Sequence, residues 1–173
     1  MNRLLASVMY AALVVAAQPT LALAADAAVQ ATGGLRRVEI DQDKNGKVDT
    51  VEFWDATRLV RVEVDGDGDG RVERWEHRTA DNKLDRLGSS GKDDGVEDMW
   101  SYFDAAGKLL KVEFDTDRDG LVDKRDTFVA SPVARDLRTL VTIELGIDKT
   151  GQPARRLHYR PDGSFDRVET IRQ

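Results

Sequence analysis

The sequence predicts an all-β protein: an antiparallel meander of about ten strands, built from five and a half hairpin repeats of about 25 residues. Three observations carry that expectation. The chain is self-similar at a near-constant spacing, apolar residues alternate inside each unit, and turn-forming residues separate the alternating runs.

The units begin at Leu35, Leu59, Leu84, Leu109 and Leu140, and a closing fragment begins at Phe165, so successive starts lie 24, 25, 25, 31 and 25 residues apart. Only the fourth unit is long, through an insertion around ASPVARD (130–136). In the first half of each unit, apolar residues flank a glutamate. Val38 and Ile40 enclose Glu39, Val62 and Val64 enclose Glu63, Val112 and Phe114 enclose Glu113, and Ile143 and Leu145 enclose Glu144. A period of two with β-branched residues marks a half-buried strand. An Asp/Gly-rich stretch follows, then a second extended run such as VDTVEFW (48–54) or VERWEHR (72–78). A second, shorter turn closes the unit at ADNK (80–83), DAAGK (104–108) or RPDGS (160–164). Gly, Asn and Asp there supply the positive φ of tight hairpins. Each unit thus reads as strand, long loop, strand, short turn. Only one face of each strand is apolar, so the sheet is expected to curl into an open barrel, pack on itself or dock on a partner.

Before the repeats, Arg3, the apolar run Leu4–Ala17, Pro19 and the small-x-small triplet Ala22-Leu23-Ala24 have the layout of a secretory signal over 1–24. The apolar run is short of the roughly 20 residues that span a bilayer, so no membrane span is expected after cleavage. Residues 25–34, small and weakly apolar, read as a flexible lead, and 35–173 as the repeat domain. Cleavage after Ala24 leaves 149 of the 173 residues and removes one charge, Arg3, moving the formal net charge from −6 to −7. The chain has no cysteine, which excludes disulfides and a lipidated mature start. An acidic chain repels phosphate backbones, so nucleic acid is not an expected partner. The expected location is periplasmic or secreted.

The long loops hold the most specific pattern. In the first unit Asp41, Asp43 and Asn45 stand at positions 1, 3 and 5, Gly46 at 6, Asp49 at 9 and Glu52 at 12. The second has Asp65, Asp67, Asp69, Gly70, Glu73 and Glu76 in the same places, and the fourth has Asp115, Asp117, Asp119, Gly120, Asp123 and Asp126. Alternate residues of a tight turn can direct carboxylates at one centre, and six to eight oxygens suit a hard cation such as calcium. Asp and Gly also favour plain solvated turns, but acids at positions 9 and 12 in three loops exceed what a turn requires.

This spacing resembles the calcium loop of the EF-hand superfamily, D-x-[DN]-x-[DN]-G-x5-E. The resemblance implies a backbone carbonyl ligand from position 7 (Lys47, Arg71, Leu121) and closure by position 12, where Asp126 is one methylene shorter than Glu52 and Glu76. Twelve residues (53–64) separate Glu52 from Asp65, too few for two flanking helices and a linker. The loops look more like the calcium sites of integrin-type β-hairpins, which implies that position 9 (Asp49, Glu73, Asp123) supplies the key carboxylate and position 12 is peripheral. The units are also similar to MORN-type hairpin arrays, through the aromatic-Asp-x-x-Gly-x-Leu run at 103–109. The third loop, with Ser90, Lys92 and Asp94 at positions 1, 3 and 5, and the fifth, with Gly146, Asp148 and Thr150, lack the ligands and are expected to keep only the turn.

His77 and His158 have no metal-binding partners in the sequence and read as surface strand residues. Trp75 and Trp100 read as packing groups. The arginines that recur at strand starts, including Arg36, Arg37, Arg61, Arg86 and Arg167, are expected to pair with neighbouring glutamates. No nucleophile elbow, zinc-protease motif or phosphate loop is present. The leading expectation is therefore a non-catalytic, extracytoplasmic, calcium-binding repeat domain that acts as a structural or partner-binding module, the partner being another protein or a cell-surface polymer. The alternatives are a helical EF-hand sensor or buffer, a carboxylate-dependent polysaccharide hydrolase, and acidic loops that engage a basic protein without metal.

Overall fold

The computed structural model describes residues 29–32, 34–131 and 138–171. It contains twelve strands: β1 (Val29–Thr32), β2 (Leu35–Ile40), β3 (Thr50–Asp55), β4 (Arg58–Val64), β5 (Arg74–Arg78), β6 (Leu84–Ser89), β7 (Met99–Phe103), β8 (Leu109–Phe114), β9 (Lys124–Ala130), β10 (Arg138–Ile147), β11 (Pro153–Tyr159) and β12 (Phe165–Thr170). They form one sheet in strict chain order, with every neighbouring pair antiparallel. The sheet is open, with β1 and β12 as its two edges.

The all-β meander expected from the repeats is what the chain adopts, and the last units continue the same sheet through β10, β11 and β12. No helix occurs among the described residues, which removes the helical EF-hand alternative. Its physical basis is the short spacing between loops: the 12 residues from 53 to 64 are used up by the rest of β3, a tight turn and β4. One further strand lies within the stretch expected as a flexible lead. β1 pairs with β2 from Val29↔Val38 to Thr32↔Leu35, closing a hairpin at Gly34, where φ is 85°. The segment expected to be a signal, 1–24, lies outside the described residues, as does most of the insertion after β9.

Consecutive antiparallel pairing puts all five long loops at one end of the strands and the short turns at the other. The short turns use left-handed residues at Ala56 (φ 54°), Asn82 (φ 60°) and Gly107 (φ 74°). The register divides the two faces. Val38, Val62, Val112 and Ile143 share one face with Glu52, Glu76 and Asp126, which sit between them on the intervening strands. The opposite face carries Glu39, Glu63, Glu113 and Glu144, interleaved with Val51, Trp75 and Arg125.

Packing is thin, as a single layer dictates. Among the described residues, Phe53, Val62, Trp75, Val112 and Ile147 are the buried hydrophobic side chains, and only Val112 is wholly buried. Ion pairs within and between the strands add to the packing. Lys111 and Arg125 converge on Glu113 at 2.7 and 2.8 Å, Arg125 and Arg156 converge on Glu144 at 2.8 and 2.7 Å, and Arg156 reaches Glu169 at 3.3 Å. Glu113 and Glu144 are buried, each held by two cations. Arg37 and Arg61 pair with Glu39 and Glu63 as the sequence suggests. Arg36 instead lies over the Trp54 ring, 5.3 Å from its centroid. His77 hydrogen-bonds Glu97 at 2.7 Å, and Glu97 occupies the space that a side chain at Gly88 would fill.

Candidate metal centres

Each long loop begins where an apolar strand ends and turns back within nine residues. In the first loop the Asp41 carboxylate receives the N–H of Asn45 at 3.0 Å and that of Gly46 at 2.8 Å. The second loop repeats this with Asp65, which receives Gly68 and Gly70 at 2.8 and 2.9 Å, and the fourth with Asp115, which receives Arg118, Asp119 and Gly120. Position 5 turns its side-chain oxygen onto the N–H of position 7, at 2.8 Å for Asn45–Lys47, Asp69–Arg71 and Asp119–Leu121. Glycine at position 6 is left-handed in all three, with φ of 90° at Gly46, 93° at Gly70 and 88° at Gly120. A Cβ there would be strained, and this is the sharp bend that the motif predicts.

The ninth position closes each loop. Its carboxylate receives the N–H of position 2: Gln42 to Asp49 at 2.7 Å, Gly66 to Glu73 at 2.5 Å and Thr116 to Asp123 at 2.9 Å. The effect is to bring acids together. Carboxylate oxygens of Asp65, Asp67, Asp69 and Glu73 lie within 4.8 Å of one another, as do those of Asp41, Asp43 and Asp49, and those of Asp115, Asp117 and Asp123. Two oxygens on one calcium ion stand no more than about 5 Å apart, twice a bond of 2.3–2.6 Å, so all three clusters have the dimensions of a cation shell. The donors are all oxygen, which suits a hard divalent ion and no soft metal.

A further feature marks the first two loops. One oxygen of the ninth-position carboxylate bonds the loop backbone; the other, Oδ1 of Asp49 and Oε1 of Glu73, is buried with no hydrogen-bond partner. A buried, unpaired carboxylate oxygen is costly, and a bound cation offsets that cost.

The twelfth-position acids lie on the strands and not in the clusters. Glu52 accepts a hydrogen bond from Trp54 Nε1, Glu76 pairs with Arg74 and Arg78, and Asp126 pairs with Lys124. The reason is the strand itself, which resumes at position 10 in all three loops and carries position 12 onto the sheet face. Asp119 is outside the fourth-loop cluster, although it accepts the Leu121 N–H just as Asp69, inside the second-loop cluster, accepts that of Arg71. At the seventh position the expected ligand is the backbone carbonyl; the side chains of Lys47 and Arg71 reach sideways to the next loop, bonding the carbonyls of Gly68 at 2.7 Å and Asp93 at 3.3 Å.

The third and fifth loops are different. The fifth is a tight turn, in which Asp148 Oδ1 receives the N–H groups of Thr150 and Gln152. The third keeps acids at positions 5 and 9, Asp94 and Asp98, and both bind the guanidinium of Arg118. Counting nine residues from Ser90 reaches Asp98 in the sequence, but nothing there places Arg118 beside it. No protein-family model matches the chain, and no curated protein is significantly similar to it.

Proposed function

We propose that the first, second and fourth loops bind calcium, and that the protein is a non-catalytic, extracytoplasmic repeat module whose sheet is stiffened by those ions. The observation that carries this reading is the ninth-position carboxylate. It sits within an all-oxygen cluster of the right span, and in two loops one of its oxygens is buried without a partner. The ligands are Asp41, Asp43 and Asp49; Asp65, Asp67, Asp69 and Glu73; and Asp115, Asp117 and Asp123. Calcium is preferred over magnesium because a loop of flexible carboxylates tolerates irregular coordination, whereas magnesium demands a near-ideal octahedron.

The role proposed for the ions is mechanical. A single-layer sheet with five buried hydrophobic side chains among the described residues gains little from its core, and extracellular calcium modules bind with Kd of about 10⁻⁴ to 10⁻³ M. At free calcium ten times Kd, each site adds about 1.4 kcal/mol to stability. A rigid, loaded end then presents the sheet to another protein or to a cell-surface polymer. Isothermal titration of the whole protein, freed of metal by a chelator, tests the reading: three calcium ions are expected, with a rise in melting temperature of several degrees that sodium chloride of equal ionic strength does not reproduce. A flat titration would sink it.

A further inference from the structure

We infer that the third loop is a cation site already filled, and that its cation is the guanidinium of Arg118, supplied by the fourth loop. The inference rests on the calcium reading of the other three loops and extends it to the loop that lacks their ligands.

The comparison is between equivalent atoms. The N–H of position 2 caps the ninth-position carboxylate in the third loop as elsewhere, from Gly91 to Asp98 Oδ1 at 2.7 Å. In the first and second loops the other oxygen of that carboxylate is buried and unpartnered. In the third it is Asp98 Oδ2, and it accepts a hydrogen bond from Arg118 Nη2 at 2.9 Å. The same guanidinium takes both oxygens of Asp94, at 2.6 and 3.0 Å. Positive charge therefore stands against the carboxylates of positions 5 and 9, and the Asp98 side chain is 11% exposed.

The chemistry of the substitution is consistent. With Ser90 and Lys92 where the first, second and fourth loops have acids, the third loop offers two carboxylates at the ligand positions, Asp94 and Asp98. Two are too few to replace the water shell of a divalent ion, but they match a planar, singly charged fork with several donors. Delivery also has a structural cause. Arg118 is position 4 of its own loop, a position that is left-handed in all four: φ is 61° at Lys44, 73° at Gly68, 54° at Asp93 and 65° at Arg118. Neighbouring loops meet at this position. At the first two junctions it receives a cation from the preceding loop, Lys47 onto the Gly68 carbonyl and Arg71 onto the Asp93 carbonyl. At the third junction the direction reverses, and position 4 sends its cation back.

Calcium titrations of the whole protein test this with three forms. Native protein and Lys92→Asp should each bind three ions, because Arg118 holds the loop even when a third acid is present. Lys92→Asp combined with Arg118→Gly should bind four; glycine suits the left-handed backbone, as Gly68 does in the second loop. A fourth ion in Lys92→Asp alone, bound as tightly as in the double variant, would overturn the assignment, and so would a double variant limited to three. A second arm needs no calcium. In excess chelator, Asp98→Asn and Arg118→Gly should lower the melting temperature less together than the sum of their separate effects. Strict additivity would overturn the role of Arg118, whereas absence of calcium uptake in the native protein with non-additivity in chelator would refute only the calcium reading of the other loops.

Discussion

The backbone N–H of Asp65 donates to the carbonyl of Asp49 at 2.9 Å, so the first residue of the second loop hangs from the ninth residue of the first. The same bond joins Ser90 to Glu73 and Asp115 to Asp98, at 3.0 and 2.9 Å; in the fifth loop it is the second residue, Ile147, that bonds the Asp123 carbonyl, at 3.1 Å. One residue per loop thus caps its own turn with its side chain and anchors the next loop with its carbonyl. An ion that orders the ninth position of one loop also orders the first ligand of the next.

From this spine we predict coupling between sites. Asp49→Ala should reduce calcium uptake from three ions to two and also weaken binding at the intact second loop by about fivefold, the low end of ordinary site–site coupling. Titration calorimetry of the variant reads both numbers. Unchanged affinity for the remaining ions would show that the shared hydrogen bonds transmit nothing.

Positions 9 and 12 should separate cleanly in the second loop. Glu73→Gln removes a carboxylate of the cluster and is expected to cost one ion. Glu76→Gln removes partners of Arg74 and Arg78 on the sheet face, so the ion count should stay at three and stability should fall by about 0–1 kcal/mol, as for other surface pairs. Loss of an ion in Glu76→Gln would return the twelfth position to the ligand set.

The two halves of that prediction also show what was legible in the chain. The VEV and VEF alternations and the repeat spacing were sufficient for an antiparallel meander, because a strand of period two and a glycine turn are local properties. The convergence of Asp65, Asp67 and Glu73 was legible for the same reason, being confined to nine residues. Whether Glu76 joins them depends on where the next strand resumes, which pairing with β4 and β6 decides. The contact of Arg118 with Asp94, 24 residues away, depends on the lateral spacing of two loops, and no motif within a single unit encodes it.

The ladder of ion pairs should matter more than an ordinary surface bridge. Arg125 joins Glu113 and Glu144, which are buried on one face of the sheet. Arg125→Met leaves each glutamate with one of its two cations. Removing a partner from a fully buried pair costs about 3–5 kcal/mol; with part of the ladder open to water, about 2 kcal/mol is expected. Urea unfolding in chelator measures it. Arg125→Met combined with Glu113→Gln should recover part of the loss, and a single variant as stable as native protein would make the ladder energetically idle.

The same face gives a pH signature at the alkaline end. Burial raises the Tyr102 hydroxyl, and its hydrogen bond to Glu113 and the charge of that carboxylate raise it further, to about 12; the Lys111 ammonium lies 4.1 Å from the ring centroid. The sign follows from which form the fold prefers. The ordinary tyrosine value is 10.0, so the folded state holds the proton that the unfolded chain releases near that pH. The stabilisation from Tyr102 is therefore complete below pH 10 and is lost progressively between about pH 10 and 12. Spectrophotometric titration of the phenolates should show one tyrosine ionising late, and Tyr102→Phe should abolish that step. The variant should also lose stability less steeply than native protein over this interval. A titration in which every tyrosine ionises near its ordinary value would mean that the hydroxyl is not held against Glu113.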